Sequence, residues 1–185
     1  DNVYVFGHSM GGCHAPVVCS EFPVKGIITY GTVFMSWLEW AIRSPRIQGI
    51  LSGQTHAQVD DDVRKTTQFY NYLYNEKKSI AWIKKNHPEL AKMADDNSPD
   101  GVMLGDRSIK YMQEVNDRNF GSYWPKLGKT RVLALFGEFD WIALRDDQAY
   151  VADSVNAVNP GFAEFKVLPG ADHIFAKCTS QQDSF

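Results

Sequence analysis

The feature that most constrains this chain lies near its beginning, where the apolar run Val-Tyr-Val-Phe at 3–6 leads into Gly-His-Ser-Met-Gly-Gly at 7–12. β-Branched and aromatic residues that end at a glycine are typical of a short buried strand followed by a tight turn. The small and apolar residues from about 10 to 22 predict a helix packed on that strand. Pro16 predicts a bend in this helix, because proline lacks the N–H that an interior helical position donates.

The turn reads G-H-S-M-G over residues 7–11, with a glycine two residues before and two residues after a serine. A serine on a sharp strand-to-helix turn has a strained backbone, and its flanking residues approach each other so closely that we expect Gly7 and Gly11 to be required. Gly12 is expected to let the helix lie close to the sheet. Such a turn, a nucleophile elbow, presents the Ser9 hydroxyl at the helix N-terminus. The spacing fits neither of the common glycine-rich phosphate-binding motifs.

Three further apolar runs predict strands of the same sheet, at 24–31, 130–140 and 163–173. Continuous apolar runs closed by glycine or a polar loop are typical of parallel strands that are covered on both faces. An apolar stripe with helical spacing at 146–161 separates the last two of these runs. The alternation of strand and helix therefore predicts an α/β fold built on a parallel sheet.

The stretch between the second and third predicted strands has a different composition, with helical periodicity and many Trp and Tyr residues. We therefore assign residues 1–33 and 130–185 to an α/β core, and residues 34–129 to a helical insertion between two strands of its sheet. The aromatic residues of the insertion are expected to pack between helices. The helices predicted there lie near 36–51, 56–76, 77–94 and 106–119.

The composition excludes several classes of partner. The net charge is −3 without any block of Lys or Arg, so the chain has no electrostatic surface for nucleic acid. No apolar run reaches the roughly 18 residues that a membrane span needs. Cys13, Cys19 and Cys178 form neither a disulfide framework nor a zinc pattern, and no other cluster has metal-ligand spacing. We expect no metal and no cofactor, and a small-molecule or peptide substrate.

A serine is a weak nucleophile at neutral pH, so nucleophilic catalysis requires a histidine and a carboxylate at the same edge of the sheet. Asp140 follows the third predicted strand and His173 follows the fourth. Because the carboxyl ends of parallel strands meet at one edge, both residues are expected beside Ser9. We therefore predict a catalytic triad of Ser9, His173 and Asp140, with the backbone N–H of Met10 as an oxyanion donor.

Other candidates fit this scheme less well. Glu138 is the best alternative carboxylate, and Asp172 is expected to accept hydrogen bonds that fix its loop. The remaining histidines follow no predicted strand and are His8, His14, His56 and His87. His8 is too close to Ser9 in sequence to turn its ring onto the hydroxyl.

The segments "GHSMGG", "GEFD" and "PGADH" make the sequence resemble the α/β-hydrolase superfamily. The resemblance covers the elbow and the part after the insertion, and the insertion falls where many members carry a helical cap. It implies hydrolysis of an ester, thioester or amide through an acyl-serine, without a cofactor. Cap-bearing esterases and lipases, and serine peptidases of this fold, both stay open. The contrasting hypothesis is a non-catalytic module that retains the elbow as a scaffold and binds a partner.

The resemblance also implies that part of the fold lies outside the chain. Members of the superfamily place the elbow after the fifth strand of an eight-stranded sheet, whereas only eight residues precede Ser9 here. The upstream part of such a protein supplies further strands and a loop that donates a second oxyanion N–H. We therefore expect a core that is incomplete on its N-terminal side, with the missing half on the same parent chain, and weak or no activity for these 185 residues alone.

Overall fold

The computed structural model describes residues 2–185, which form two compact units. The core unit contains residues 2–35 and Asn119–Phe185, and the insert unit contains Ser36–Arg118. The strands are β1 (Tyr4–His8), β2 (Gly26–Tyr30), β3 (Met103–Leu104), β4 (Arg107–Ser108), β5 (Arg131–Gly137) and β6 (Ala163–Leu168). The α-helices are α1 (Met10–Glu21), α2 (Trp37–Leu51), α3 (His56–Tyr70), α4 (Ile80–Asn86), α5 (Ala91–Asn97), α6 (Ile109–Asp117), α7 (Arg145–Asn156) and α8 (Gln181–Ser184).

The core unit is built on a four-stranded sheet in the order β1-β2-β5-β6. Each neighbouring pair in this sheet is parallel, which confirms the α/β fold predicted from the apolar runs. The strands end at His8, Tyr30, Gly137 and Leu168. Because all four strands run in one direction, these ends share one edge of the sheet, and the loops that follow them meet there.

The apolar core of this unit joins both sides of the insertion in sequence. A 3₁₀ segment at Phe120–Lys126 contributes Trp124, which is fully buried, and Leu127 follows it into the same cluster. Residues 119–129 thus belong to the core unit, whereas the sequence pattern places them in the insertion predicted over 34–129. The other buried members of the cluster come from α1, β2, β5 and α7, and are Ala15, Cys19, Ile27, Val132, Ala134, Val151 and Val155.

Strand β1 forms an edge of the sheet. It pairs with β2, and no strand of the described residues pairs with its other side. The side chains of Tyr4 and Phe6 on this strand are 59% and 56% exposed. An edge strand with exposed aromatic side chains is a surface that natural proteins usually cover with another segment or chain.

The insert unit is mainly helical, and hydroxyl side chains set where its helices begin. Ser36, Thr55, Ser79 and Ser108 each accept a hydrogen bond from the backbone N–H three residues later, at the starts of α2, α3, α4 and α6. Such N-caps satisfy one of the N–H groups that a helix leaves without an internal partner. Helix α2 occupies the range predicted for it to within one residue.

The sequence pattern was less accurate in the middle of this unit. The helix predicted over 77–94 is interrupted by a 3₁₀ turn at Pro88–Leu90, because proline lacks a backbone donor. The helix predicted over 56–76 changes to a π-helical turn at Asn71–Asn75. Strands β3 and β4 form a small antiparallel pair that the pattern did not predict, since two residues are too few to show a period.

Candidate active site

Ser9 lies in the one-residue turn between β1 and α1 and has a strained backbone, with φ 53° and ψ −125°. A positive φ is uncommon for a residue other than glycine, and such strain is concentrated at functional sites. The Ser9 N–H donates to the Tyr30 carbonyl at 2.8 Å, and its own carbonyl accepts from the Gly12 N–H at 3.0 Å. The turn is therefore tied both to the end of β2 and to the first turn of α1.

Two glycines beside Ser9 are required by close packing, one against backbone and one against a side chain. A Cβ added to Gly7 would lie 2.7 Å from the Cα of Gly12, and one added to Gly12 would lie 2.5 Å from the Thr32 Oγ1. Within the described residues, a Cβ added to Gly11 would meet nothing within 4 Å apart from its chain neighbours and the backbone of its own helix. The expected close approach of residues 7 and 11 is present, since a Cβ added to Gly7 would also lie 2.9 Å from the Gly11 carbonyl oxygen. The second position that requires glycine is 12 and not 11, because the first helical turn brings Gly12 over the end of β1.

Asp140 and His173 are in direct contact. The Nδ1 of His173 lies 2.8 Å from the Oδ2 of Asp140, and the two residues are 7% and 1% exposed. The other carboxylate oxygen of Asp140 accepts the backbone N–H groups of Ile142 and Ala143, each at 2.8 Å. One oxygen of the carboxylate is thus fixed by the loop, and the other is directed at the imidazole.

Gly31 forms the surface against which this pair packs. It has a φ of +57°, and a Cβ added to it would lie 2.9 Å from the His173 Nδ1 and 3.0 Å from the Asp140 Oδ2. In the sequence, Gly31 stands out only as the residue that closes the apolar run at 24–31. The available signal was its position directly after β2, at the edge where the candidate residues were expected to meet.

Ser9 and His173 are connected through this same segment of chain. The Ser9 N–H donates to Tyr30, and the next residue, Gly31, contacts His173. Within residues 2–185, no hydrogen bond joins the Ser9 hydroxyl to the imidazole. The structure therefore brings Ser9, Asp140 and His173 to one edge of the sheet, with the acid and the histidine already paired.

The loop that carries His173 is held by Asp172. The Asp172 carboxylate accepts the N–H groups of Ile174 and Ala176 at 2.9 and 2.8 Å, and the Ser184 hydroxyl at 2.9 Å. Burial acts to raise the pKa of the Asp172 carboxyl, but these hydrogen bonds outweigh it and hold the pKa below its usual range. Asp172 thus fixes the loop, as its sequence position suggested.

Tyr30 holds the same loop from the end of β2. Its phenol, which is fully buried, donates to the Asp172 carbonyl. Its ring stacks on Phe175, with centroids 3.7 Å apart and an interplanar angle of 19°. Burial, reinforced by the Asp140 and Asp172 carboxylates, raises the pKa of Tyr30 to about 12. The phenol is therefore a permanent donor near neutral pH.

The alternative carboxylate, and two other ionisable residues near the site, have other partners. The Glu138 carboxylate accepts the Gly170 N–H at 2.8 Å, so it stabilises the loop after β6. Cys13, one turn after Ser9, is buried, and burial raises the pKa of its thiol, which disfavours the reactive thiolate. His14 packs edge-on against Phe120. None of these contacts involves the His173 imidazole.

The helices, the possible metal ligands and the cysteines of the described residues bear on the expectations from the sequence. Among its helices, none is both long enough and apolar enough to cross a bilayer. Across the same residues, no group of three or more His, Cys, Asp or Glu side chains is arranged to hold a metal ion. Cys13, Cys19 and Cys178 are free thiols.

Fold and site together define a parallel α/β protein with a strained serine and a buried Asp–His pair at the carboxyl edge of its sheet. A family model described as the alpha/beta hydrolase fold matches residues 1–176. The chain therefore belongs to the α/β-hydrolase fold family. A search of curated proteins found no match.

Solved structures with a similar chain fold include a monoacylglycerol lipase from Paleococcus ferrophilus, with 16% identity and a TM-score of 0.47 over 94% of this chain and 60% of that one. A thermophilic esterase from Thermogutta terrifontis has 18% identity and a TM-score of 0.43, with coverage of 94% and 58%. A carboxyl esterase from Bacillus coagulans has 14% identity and a TM-score of 0.48, with coverage of 91% and 56%. The chain thus spans 56–60% of the length of these structures.

Proposed function

We propose that the protein containing this chain is a serine hydrolase that cleaves an ester, thioester or amide bond through an acyl-serine intermediate. The observation that carries this proposal is the buried hydrogen bond between His173 and Asp140 at the sheet edge where the strained Ser9 lies. A histidine oriented by a carboxylate beside a serine is the arrangement that makes a hydroxyl nucleophilic near neutral pH.

In the proposed reaction, the His173 Nε2 takes the proton of the Ser9 hydroxyl as the oxygen attacks the acyl carbon. Asp140 accepts the Nδ1–H, which fixes the tautomer with a basic Nε2 and stabilises the imidazolium that forms. His173 then protonates the leaving group, and the acyl-serine remains. A water molecule, deprotonated by His173, then attacks the acyl carbon. The bond to the Ser9 oxygen breaks, and this oxygen takes the proton back from His173 as the acid leaves.

Stabilisation of the oxyanion is assigned to the start of α1. Met10 is the first residue of this twelve-residue helix and follows Ser9 directly, so its backbone N–H lies at the positive end of the helix dipole. We propose that a second N–H comes from a segment outside the chain. Loss of one such donor typically lowers kcat by about 10²–10³, so we expect weak or no activity for the isolated chain.

The exposed edge of β1 also supports the proposal that a segment outside this chain completes the fold. A further strand that pairs with β1 would satisfy the free backbone groups of this edge and cover Tyr4 and Phe6. We propose that this strand belongs to the same parent chain, as in a complete sheet of this family. Its loops would then lie at the edge that carries Ser9.

The test is turnover by the protein at its full encoded length. We expect hydrolysis of p-nitrophenyl acyl esters, and a loss of about 10⁴ or more in kcat for Ser9→Ala. Equal turnover in Ser9→Ala would remove Ser9 from the mechanism. Aminoacyl p-nitroanilides measured in parallel separate an esterase from a peptidase. Absence of turnover on both substrate classes would favour the non-catalytic module, in which Ser9 serves only to shape the turn.

A further inference from the structure

His8 precedes Ser9 directly, and its side chain bonds to the residue that carries the general base. The His8 Nε2 lies 2.7 Å from the backbone carbonyl oxygen of His173. Because a carbonyl can only accept, the Nε2 must carry a proton and donate it to this bond. The bond therefore joins the end of β1, directly before the nucleophile, to the loop that carries the base.

Aromatic contacts on several sides keep the His8 ring in place. Its centroid lies 4.9 Å from that of the His173 ring, 5.8 Å from Tyr30 and 5.9 Å from Phe175. These rings limit how far the imidazole can rotate away from the carbonyl. The Nε2–H is thus held toward the His173 backbone by packing as well as by the hydrogen bond.

The ends of β1 and β2 each donate a side-chain hydrogen bond to the loop that carries His173, and the two carbonyl groups that accept these bonds are consecutive. Tyr30, at the end of β2, donates to the carbonyl of Asp172, and His8, at the end of β1, donates to the carbonyl of His173. Among the described residues, the second of these is the one hydrogen bond between β1 and the loop. Together with the ring contacts of His8, this hydrogen bond sets the position of the His173 ring relative to Ser9.

We propose that His8 is a positioning residue, whose Nε2–H holds the His173 imidazole in register with the Ser9 hydroxyl. This inference rests on the proposed function, since register matters only if a proton passes between the two residues. Proton transfer requires heavy atoms within about 2.6–3.2 Å, and a misplacement of about 1 Å can cost about 10²-fold in rate. Because Tyr30 and Asp172 continue to hold the loop, loss of the His8 bond shifts the imidazole only partly.

Two substitutions of His8 separate the hydrogen bond from the packing of the ring. His8→Phe keeps a flat ring and removes the donor, whereas His8→Gln keeps an amide N–H at a position close to that of Nε2. In the full-length protein, we expect His8→Phe to lower kcat about tenfold with KM within about twofold of wild type. His8→Gln should restore most of kcat. His56→Phe, at an exposed histidine of the insert unit, is the matched control and should leave both constants unchanged.

Two further measurements distinguish failure of this inference from failure of the proposed function. Ser9→Ala is assayed beside the His8 variants, and amide hydrogen exchange is followed at residues 174–178. Loss of turnover in Ser9→Ala, with faster exchange and a lower kcat in His8→Phe alone, supports both proposals. Wild-type kcat in His8→Phe, or equal losses in His8→Phe and His8→Gln, overturns the positioning role while the proposed function stands. Unchanged turnover in Ser9→Ala overturns both.

Discussion

Gly31→Ala tests whether the Asp140–His173 pair depends on the backbone against which it packs. The added Cβ would lie 2.9 Å from the His173 Nδ1 and Cε1, whereas ordinary van der Waals contact begins at 3.4 Å. The imidazole must therefore move by about 0.5 Å. If a misplacement of about 1 Å costs about 10²-fold, half of it costs about tenfold in kcat. The φ of +57° adds a strain of about 1–2 kcal/mol for alanine, which lowers the free energy of unfolding.

Gly128→Ala is the matched control for this substitution. Gly128 has a φ of +59°, close to that of Gly31, and nothing lies within 4 Å of an added Cβ. It should show the backbone strain, about 1–2 kcal/mol, without a change in kcat. Thermal unfolding and p-nitrophenyl ester turnover are measured for both variants of the full-length protein. The argument fails if Gly31→Ala keeps kcat within twofold of wild type and loses no more stability than Gly128→Ala.

Three further predictions concern residues around the same edge. Asp140→Asn should lower kcat by about 10⁴, because the amide favours the wrong histidine tautomer, and a near-wild-type kcat would exclude Asp140 as the acid. Gly12→Ala should lower the melting temperature, because the added methyl group clashes with Thr32. Gly11→Ala should leave the melting temperature unchanged or raise it, because the space around this position is open. Equal melting temperatures for the two variants would contradict the packing described. The free energy of unfolding of the wild type should fall between about pH 10 and 12, because the Tyr30 pKa of about 12 makes the folded state bind more protons than the unfolded state in this range. Tyr30→Phe should lack this fall. Urea unfolding at each pH measures this difference, and parallel curves for wild type and Tyr30→Phe would refute it.

The core of the fold could be predicted from the sequence because its strands read as apolar runs, although β1 and β6 leave side chains exposed. Such runs predict the approximate positions of β1, β2, β5 and β6. The alternation of these runs with helices predicts that the strands are parallel. Asp140 and His173 could be placed at one edge without coordinates, since both follow a strand directly. Local pattern and topology were sufficient at these positions.

Contacts between residues distant in sequence account for what could not be predicted. Gly31 is required because His173, 142 positions later, packs against it, and no local pattern contains that contact. Trp124 resembles the aromatic residues of the insertion, yet it is fully buried in the core unit. The need for glycine at position 12 instead of 11 depends on how the first turn of α1 meets Thr32, which spacing alone does not specify.

The most direct test of the central claim is the site of covalent labelling by a fluorophosphonate probe in the full-length protein, mapped by mass spectrometry of its peptides. We expect the added mass on Ser9, no labelling at this position in Ser9→Ala, and labelling slowed by about 10³-fold or more when His173 is replaced by Asn. Labelling of a different residue in wild type, or an unchanged rate in His173→Asn, would show that the hydroxyl and the imidazole do not act together.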